Sequence, residues 1–323
     1  MLRTTVIVVA YDSGDALERC LASLAGEDVL VVNNGGPLTL AGVRVVESGR
    51  NVGFGAACNL GARETDADVL VFLNPDTVAR PGAVAALSRA LEDPSVGVVQ
   101  ARLRLLEEPD LLNSSGNVLH VSGLAWPGGY REPAASLDAQ REIPYASGAA
   151  LAIRADVLRE LGGFTEELFL YQEDLELCWR ARLHGLRVVV TPEADVLHDY
   201  VLERPDRRKE YYLERNRLVF LLTAFEARTL LLLAPVLVAV EVGIVVLARR
   251  QGWLREKAAG WAWLVRHRTW LAERRRATQR LRRVGDREVA RFLTPVLDPR
   301  MLELPSGVAV LNAAVAAWWR VVS

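Results

Sequence analysis

The stretch ADVLVFLNPDT, residues 67–77, is the clearest indication of the fold that we predict for this chain. Its apolar run VLVFL contains no polar residue, which is typical of a parallel strand that is covered on both faces. The run stops abruptly at Asn74, Pro75 and Asp76. Taken alone, Asn-Pro-Asp is more often a simple turn than a site. The alternative is that the strand holds the Asp76 carboxylate where it can bind a divalent cation.

Three similar runs precede this stretch, TTVIVVA at 4–10, DVLVV at 28–32 and VRVVE at 43–47. Helix-like segments alternate with the runs, which predicts an α/β fold with a Rossmann-like, mostly parallel, twisted sheet and helices on both faces. Ligands of such sheets bind beyond the carboxyl ends of the strands. Polar residues stop the runs at these ends and favour a site there: Tyr11, Asp12, Asn33, Asn34, Asn74 and Asp76.

The composition is that of an ordinary globular protein, with 51% hydrophobic residues among 323. The three cysteines lack the spacing of a zinc site or a disulfide framework, so we expect a reducing compartment. The N-terminal sequence turns polar too soon for a signal peptide, and we expect this end not to be exported. The net charge of −1 hides an asymmetry, because residues 249–291 carry 14 Arg or Lys against 4 Asp or Glu, a net of +10.

Residues 229–250 offer about 20 mostly apolar residues, roughly the length of one bilayer span. Glu241 would cost about 2.5–3.5 kcal/mol near the centre of such a span. The basic stretch that follows also contains several tryptophans, and this composition suits an anionic membrane surface. These tryptophans are Trp253, Trp261, Trp263 and Trp270.

We therefore predict an α/β domain at 1–220 and a helical, basic, membrane-associated region at 221–323. A soluble helical hairpin that packs on the domain is the alternative for the second region. Nucleic-acid binding is disfavoured, because it would leave the apolar run unexplained. Whether this run crosses the bilayer near 229–248 or lies in the interface stays open.

Two further segments contain residue types that catalysis or binding requires. GRNVGFGAACNLG, residues 49–61, has glycines that let a backbone approach a ligand, although it is neither a dinucleotide fingerprint nor a P-loop. LYQEDLELCWR, residues 170–180, places Glu173, Asp174 and Glu176 at a predicted helix start. These acids either complement the helix dipole or include a general base. His198 follows a predicted strand, and a lone histidine of this kind is more often structural than functional.

Taken in order, the motifs resemble the family 2 glycosyltransferases of the GT-A fold, particularly their bacterial rhamnosyltransferase-like branch. The resemblance covers residues 4 to about 220, and eight stretches carry it: VIVVAYDSGDALERCLASL, VVNN, NVGFGAACNLGA, VLVFLNPDTVARPGAV, SGAALAIR, GGFTEELFLYQEDLELCWRARLHG, PEADVLHDY and YYLERNRL.

The resemblance implies a role for individual positions. Asp76 matches the metal-binding carboxylate of the DXD-like motif, and His198 matches a position that can touch the metal or the diphosphate. Asp174 matches the catalytic base, with Glu173 beside it. Close to these acids, Tyr171 and Trp179 could offer an aromatic surface to a sugar ring, and Gly148 is a further candidate position for the acceptor. The positions that match the nucleotide-sugar site are Ala10, Tyr11, Asp12, Asn33, Asn51, Gly53, Phe54, Gly55, Asn59 and Asn74.

The chain departs from the family pattern in two places. The family usually has Tyr-Asn after the first strand and Asp-Asn after the second, whereas this chain has Tyr11-Asp12 and Asn33-Asn34. An amide both donates and accepts hydrogen bonds where a carboxylate only accepts, so the nucleotide preference stays open.

The resemblance implies an inverting glycosyltransferase that needs Mg²⁺ or Mn²⁺ and acts in cell wall or polysaccharide biosynthesis. Its donor would be a nucleotide-diphosphate sugar, with dTDP-rhamnose as one candidate. Its acceptor would be a lipid-linked or cell-surface glycan at the cytoplasmic face of the membrane. The alternatives are a catalytically inactive scaffold of the same fold and a sugar nucleotidyltransferase, which should carry a basic, Gly-rich N-terminal loop that VVAYDSGDAL lacks. The oligomeric state is not predicted.

Overall fold

The computed structural model describes residues 2–200, 207–298, 301 and 308–322. These residues form two compact units. In its described part, the first unit comprises residues 2–117, 127–181 and 186–200, and the second comprises 118–126, 182–185 and the residues beyond 206. The predicted domain boundary at residue 220 falls inside a helix of the second unit, and the functional division into two regions stays a prediction.

The elements up to residue 200 alternate strands and helices as the sequence predicts. In chain order they are β1 (Thr4–Ala10), α1 (Gly14–Ser23), β2 (Val29–Asn33), β3 (Arg44–Glu47), α2 (Phe54–Arg63), β4 (Val69–Leu73), β5 (Thr77–Ala79), α3 (Ala83–Ala90), β6 (Val96–Leu105), β7 (Leu112–Ser114), β8 (Asn117–His120), β9 (Ala125–Pro127), β10 (Arg141–Glu142), β11 (Ala150–Arg154), α4 (Ala155–Glu160), α5 (Glu173–Leu183) and β12 (Arg187–His198).

The main sheet of the first unit has the predicted architecture. Within the described residues it contains ten strands in the order β10-β12-β6-β11-β4-β1-β2-β3, with β5 beside β12 and β7 beside β6. Strands β4, β1, β2 and β3 are mutually parallel, and the antiparallel β11 lies between β4 and β6. The mostly parallel core that the apolar runs predicted is thus confirmed.

Alternate residues of the parallel strands explain why helices cover both faces. Val6 and Val8 of β1 join the core that α1 and α3 complete. Ile7 lies on the opposite face and meets α2, where a Cβ on Gly61 would be 2.7 Å from the Ile7 Cγ2 atom. Because both faces of the strand are buried, the apolar run shows no alternation.

The second unit is mainly helical. Its elements beyond residue 206 are α6 (Arg207–Ala224), α7 (Ala227–Gln251), α8 (Leu254–Arg266), α9 (Arg268–Leu281), α10 (Asp286–Val289), β13 (Leu293–Thr294) and α11 (Val308–Val322). Strand β13 pairs with β8, which pairs with β9, to form a small second sheet. Among the described residues, α7 alone is long and apolar enough to cross a membrane by length and composition. Trp253, predicted to lie at a membrane surface, is instead buried.

Candidate active site

The carboxyl ends of the parallel strands bring the predicted polar residues to one edge of the sheet. Ala10 at the end of β1 is paired with Asn33 at the end of β2, and the backbone N–H of Asn34 donates to the Ala10 carbonyl at 2.8 Å. Tyr11 is half exposed beyond this pair. Gly35 permits the close approach of the two turns, because a Cβ there would be 3.2 Å from the Asp12 amide nitrogen.

The two asparagines after β2 organise their surroundings through their side chains. The side-chain Nδ2 atom of Asn33 donates to the Glu47 Oε2 atom at 2.8 Å and to the Gly36 carbonyl at 2.9 Å. Asn34 Oδ1 accepts from the Val52 amide at 2.9 Å. Asn34 Nδ2 lies 3.2 Å from Asn51 Oδ1. Both asparagines are buried, so they shape the edge of the site from within the protein.

A carboxylate and an imidazole meet beyond the end of β4. The turn after this strand places Asp76 beside β12, where the Asp199 amide donates to the Asp76 carbonyl at 2.9 Å. The His198 Nε2 atom then lies 3.4 Å from Asp76 Oδ1. The other ring nitrogen, Nδ1, lies 2.9 Å from the Asn113 Oδ1 atom. A proton on Nδ1, donated to Asn113 Oδ1, would leave the Nε2 lone pair directed toward Asp76, which is the tautomer that metal binding requires.

This pair fits a divalent cation of the kind that the resemblance implies. Carboxylate oxygen and imidazole nitrogen are both ligands of Mn²⁺-type ions, and the two donor atoms are close enough to share one ion. Among the described residues, no group of three or more His, Cys, Asp and Glu side chains is placed to hold a metal. The protein would therefore supply two ligands, and a substrate diphosphate and waters would supply the others, as is usual for phosphate-bound cations.

The second carboxylate of the site stands at the start of α5. The backbone N–H of Asn74 donates to the Ala149 carbonyl at 3.0 Å, and the backbone N–H of the neighbouring Gly148 donates to Asp174 Oδ2 at 2.8 Å. These two hydrogen bonds connect the end of β4 to Asp174, the predicted general base, through the residues that precede β11. The structure thus brings Asp174, Gly148 and Asn74 to the edge that also holds Asp76.

Glu173 and Asp174 have different environments, although they are adjacent. Burial and the neighbouring Asp174 charge raise the pKa of Glu173 from 4.5 to about 8, and its Oε2 atom is buried without a hydrogen-bond partner. Burial also raises the pKa of Asp174, but the amides of Gly148 and Leu175 favour its ionised form. We therefore assign the negative charge at neutral pH to Asp174 and the proton to Glu173.

The glycines of α2 approach protein rather than open space. Gly53, with φ of +88°, precedes the helix, and a Cβ there would lie 2.3 Å from the Phe169 carbonyl oxygen. That same oxygen accepts from the Phe54 amide at 2.8 Å. A Cβ on Gly55 would lie 3.1 Å from the Phe164 Cβ atom. These glycines therefore let α2 contact the segment before α5, and their predicted approach to a ligand stays a prediction.

Asn59 supports the same contact. Its Oδ1 atom accepts from the Phe164 amide at 2.8 Å, and its Nδ2 atom donates to the Phe164 carbonyl and to Glu166 Oε1, both at 2.9 Å. The side chain is buried, and these hydrogen bonds hold the loop at Phe164 and Glu166 that leads to the predicted general base, Asp174. The structure places Asn59 behind the site, where its amide is engaged with the protein.

The loop before α5 is strained. Phe169, Tyr171 and Gln172 all have φ between 64° and 68°, a conformation that residues other than glycine rarely adopt. Such strain persists only where the surrounding contacts impose it, and it is frequent at functional sites. Tyr171 is partly exposed in this loop. Trp179, by contrast, is fully buried, so the prediction that it offers a surface to a sugar is wrong.

Three contributors escaped the sequence analysis. Asn113, which orients His198, lies in a segment without clear periodicity, and no motif marks it. Glu47 ends a short strand and looks like a solvated charge until its pairing with Asn33 is seen. Gly35 is hidden in a Gly-Gly turn. Only the turn glycine had a sequence signal, because such a residue often marks a close backbone approach.

Comparisons with known proteins indicate the family and the fold of this chain. The model of the family described as "Glycosyl transferase family 2" matches residues 5–162. An N-acetylglucosaminyl-diphospho-decaprenol L-rhamnosyltransferase of Mycobacterium tuberculosis is 30% identical over an alignment of 232 residues that covers 60% of this chain and 75% of that protein. A pre-mycofactocin glycosyltransferase of the same organism is 29% identical over 219 residues. That match spans 64% of this chain but only 45% of the relative, so the chain corresponds to about half of that protein.

Solved structures share the fold at low sequence identity. GalNAc-T7 with UDP, GalNAc and Mn²⁺ superposes with a TM-score of 0.57 at 15% identity, over 70% of this chain and 49% of that one. The mannosyltransferase PcManGT from Pyrobaculum calidifontis, with GDP-Man and Mn²⁺, gives 0.50 at 17% identity over 86% of both chains. With the ordered motifs, the sheet and the 30% identical relative in agreement, this chain belongs to the family 2 glycosyltransferases, in the rhamnosyltransferase-like branch with a GT-A fold.

Proposed function

We propose that the chain is a metal-dependent, inverting glycosyltransferase that moves a sugar from a nucleotide diphosphate to a lipid-linked or cell-surface glycan. The observation that carries this proposal is the shared edge on which the Asp76–His198 pair and the Asp174 carboxylate both stand. The relative whose name specifies L-rhamnosyl transfer to a diphospho-decaprenol-linked sugar supports a rhamnose donor, for which dTDP-rhamnose is our candidate, and a lipid-linked acceptor.

The chemistry divides between the two carboxylates. Asp174, ionised and held by the Gly148 amide, would take the proton from the acceptor hydroxyl as that oxygen attacks the anomeric carbon on the face opposite the diphosphate. Asp76 and His198 Nε2 would hold a Mg²⁺ or Mn²⁺ ion. When bound, this ion would neutralise the charge that develops on the leaving diphosphate. Neutral Glu173 would keep a second negative charge away from the base.

We also propose that the enzyme works at the cytoplasmic face of a membrane. The apolar α7 and the basic residues that follow it support this location, and so does the lipid-linked substrate in the name of the relative. The region from 221 onward would then serve membrane association, and the preceding residues would bind the nucleotide sugar and catalyse transfer. Binding of nucleic acid is not part of the proposal.

The test is a panel of UDP-, GDP- and dTDP-sugars, measured for binding and for transfer or hydrolysis with and without Mn²⁺ or Mg²⁺. One donor should bind in a cation-dependent way. Asp76→Asn should weaken this binding at least tenfold, while Asp174→Asn should keep binding and lose transfer. Asp138→Asn, an exposed carboxylate of the same unit, is the matched control. If no donor binds or reacts with either cation, an inactive scaffold replaces the proposed enzyme.

A further inference from the structure

Helix α7 has two chemically distinct faces. One face is buried against the second unit and repeats every three or four residues: Leu233, Val236, Val240, Ile244 and Ala248. The opposite face is apolar but exposed, with Leu231 at 76%, Val238 at 63%, Val242 at 58% and Val246 at 43%. At 1.5 Å per residue this exposed stripe runs for roughly 22 Å along the helix. A face of this size and composition needs an apolar partner.

A buried charge network fixes the other face of α7 to its neighbours. Glu241 accepts from Arg217 of α6, from Lys257 Nζ of α8 at 2.6 Å and from Trp261 Nε1 at 2.8 Å. Arg217 and Lys257 also bind Glu214 and are both 1% exposed. Two acids and two bases thus balance within the unit. Because breaking such a buried pair costs about 3–5 kcal/mol, α7 stays attached to α6 and α8.

This attachment conflicts with a crossing of the bilayer. If α7 were surrounded by acyl chains, α6 and α8 would have to enter the hydrocarbon with it or release Glu241 there. Helix α8 has 13 residues, about 20 Å, which is too short for a hydrocarbon core of about 30 Å, and it contains exposed Arg255 and Arg266. An orientation in the membrane plane avoids both costs, since the charged face stays on the protein and only the stripe meets lipid.

A second helix extends the exposed apolar surface. Trp318 of α11 donates its Nε1 hydrogen to the Leu232 carbonyl at 2.8 Å, which places α11 beside α7. Val310 of α11 is 76% exposed. Small apolar residues share that exposed side, namely Ala309, Ala313, Ala314 and Ala317. We call the exposed faces of α7 and α11 the apolar platform.

The charges around the apolar platform favour lipid over another protein. The exposed stripe of α7 ends at the exposed Arg249 and Arg250, where the segment of net charge +10 begins. Arginine side chains at the end of an interfacial helix can reach the phosphate groups while their stems cover apolar surface. Two copies of this chain would instead bring two such positive segments together, which disfavours a dimer through this face.

We propose that the apolar platform binds an anionic lipid bilayer, with α7 lying in the membrane plane and not crossing it. This inference rests on the proposed membrane location and adds the orientation of the helix. The free energy comes from transfer of the valine and leucine side chains out of water and from the attraction between arginines and lipid phosphates. Binding should therefore fall with added salt and in neutral vesicles.

The test uses the full chain with vesicles of phosphatidylcholine, with and without 30% phosphatidylglycerol. Wild type should float with the anionic vesicles. Val238→Gln/Val242→Gln should weaken binding at least tenfold, because it removes exposed apolar surface without changing charge or replacing a buried residue. Thr39→Gln/Ala41→Gln, at exposed loop positions of the first unit, is the matched control and should bind as wild type does. Donor hydrolysis should be the same for all three proteins, which keeps this outcome separate from the proposed catalysis.

Orientation is tested with Ala227→Cys and Gln251→Cys at the two ends of α7, since the three native cysteines are buried. In membranes of expressing cells, an impermeant thiol reagent should label both positions from the same side. Labelling from opposite sides would overturn the proposal and show a crossing helix. Absence of vesicle binding, together with a dimer that Val238→Gln/Val242→Gln dissociates, would assign the platform to a second copy of the chain.

Discussion

Replacement of Gly53 by alanine tests the contact between α2 and the loop that leads to the base. Gly53 has φ of +88° and ψ of 166°, a region that is essentially restricted to glycine, and alanine there costs about 1–3 kcal/mol. The new Cβ would lie 2.3 Å from the Phe169 carbonyl oxygen. Moving that carbonyl costs about 1–3 kcal/mol in overpacking and weakens a hydrogen bond worth about 1 kcal/mol. The reduced entropy of the unfolded chain returns about 0.4–1 kcal/mol. We expect Gly53→Ala to destabilise the first unit by about 3–4 kcal/mol.

Gly82→Ala is the matched control. Gly82 also precedes a helix with positive φ, +85°, but a Cβ there would meet nothing within 4 Å. Only the left-handed conformation opposes alanine, so the expected loss is about 1 kcal/mol. Scanning calorimetry of both variants measures the difference, because it resolves separate transitions if the two units unfold independently.

Activity is the second readout of this pair. Phe169 is the first of the strained residues that lead to Asp174, so displacement of its carbonyl should lower transfer at least tenfold in Gly53→Ala. Gly82→Ala should retain the wild-type rate. If the two variants are equally stable and equally active, the close approach of Gly53 to Phe169 is not part of the functional structure, and our account of the loop is refuted.

Four further changes test separate parts of the molecule. Asp174→Asn should lower transfer about 10²- to 10⁴-fold with unchanged donor affinity by calorimetric titration, as loss of a general base predicts. Glu173 binds its proton more tightly in the folded protein, so the stability of the wild type should fall as pH rises from 4.5 to about 8, by at most about 1.4 kcal/mol per pH unit. Urea unfolding of Glu173→Gln should lack this pH-dependent loss. The same pH dependence in both proteins would contradict the raised pKa that we assign to buried Glu173. Lys257→Met should cost about 3–5 kcal/mol of unfolding free energy by leaving Glu214 and Glu241 short of one cation, whereas exposed Arg255→Met should cost nearly nothing in the same assay. Asn33→Asp should lower stability by about 1–3 kcal/mol, since it sets a carboxylate against Glu47, and Asn33→Asp/Glu47→Gln should recover most of that loss in thermal unfolding.

The strands were predictable because burial on both faces leaves a continuous apolar signal. The run before Asn74 forms β4 as expected, and the polar residues after β1 and β2 reach the same edge because parallel strands share their direction. Asp76 could be singled out for the same reason. His198 was visible at the end of a predicted strand, but its role beside Asp76 was implied only by the resemblance, since it lies more than a hundred residues later in the chain.

The supporting contacts could not be predicted, because they depend on tertiary neighbours. A glycine that approaches a ligand and a glycine that approaches another loop have the same sequence signature, so the contact of Gly53 with Phe169 could not be read from the sequence. The helical spacing of Trp179 was visible, but spacing alone does not say which side of a helix is buried. Glu241 was expected to oppose membrane insertion as an isolated charge, and its partners Arg217 and Lys257 became visible only when the helices were packed.

The departure from the family pattern at the end of β2 has a local physical reason. Asn33 and Glu47 are paired positions of the parallel strands β2 and β3, so their side chains stand side by side at the ligand edge. A carboxylate at both positions would place two negative charges in contact, whereas the Asn33 amide donates to Glu47 Oε2 and removes the conflict. The acid that the family usually carries on β2 is thus found one strand over, on an exposed residue whose orientation Asn33 fixes. We therefore propose that the Glu47 carboxylate is available at this edge for a donor group of the nucleotide, which would make the substitution at residue 33 compatible with an active enzyme.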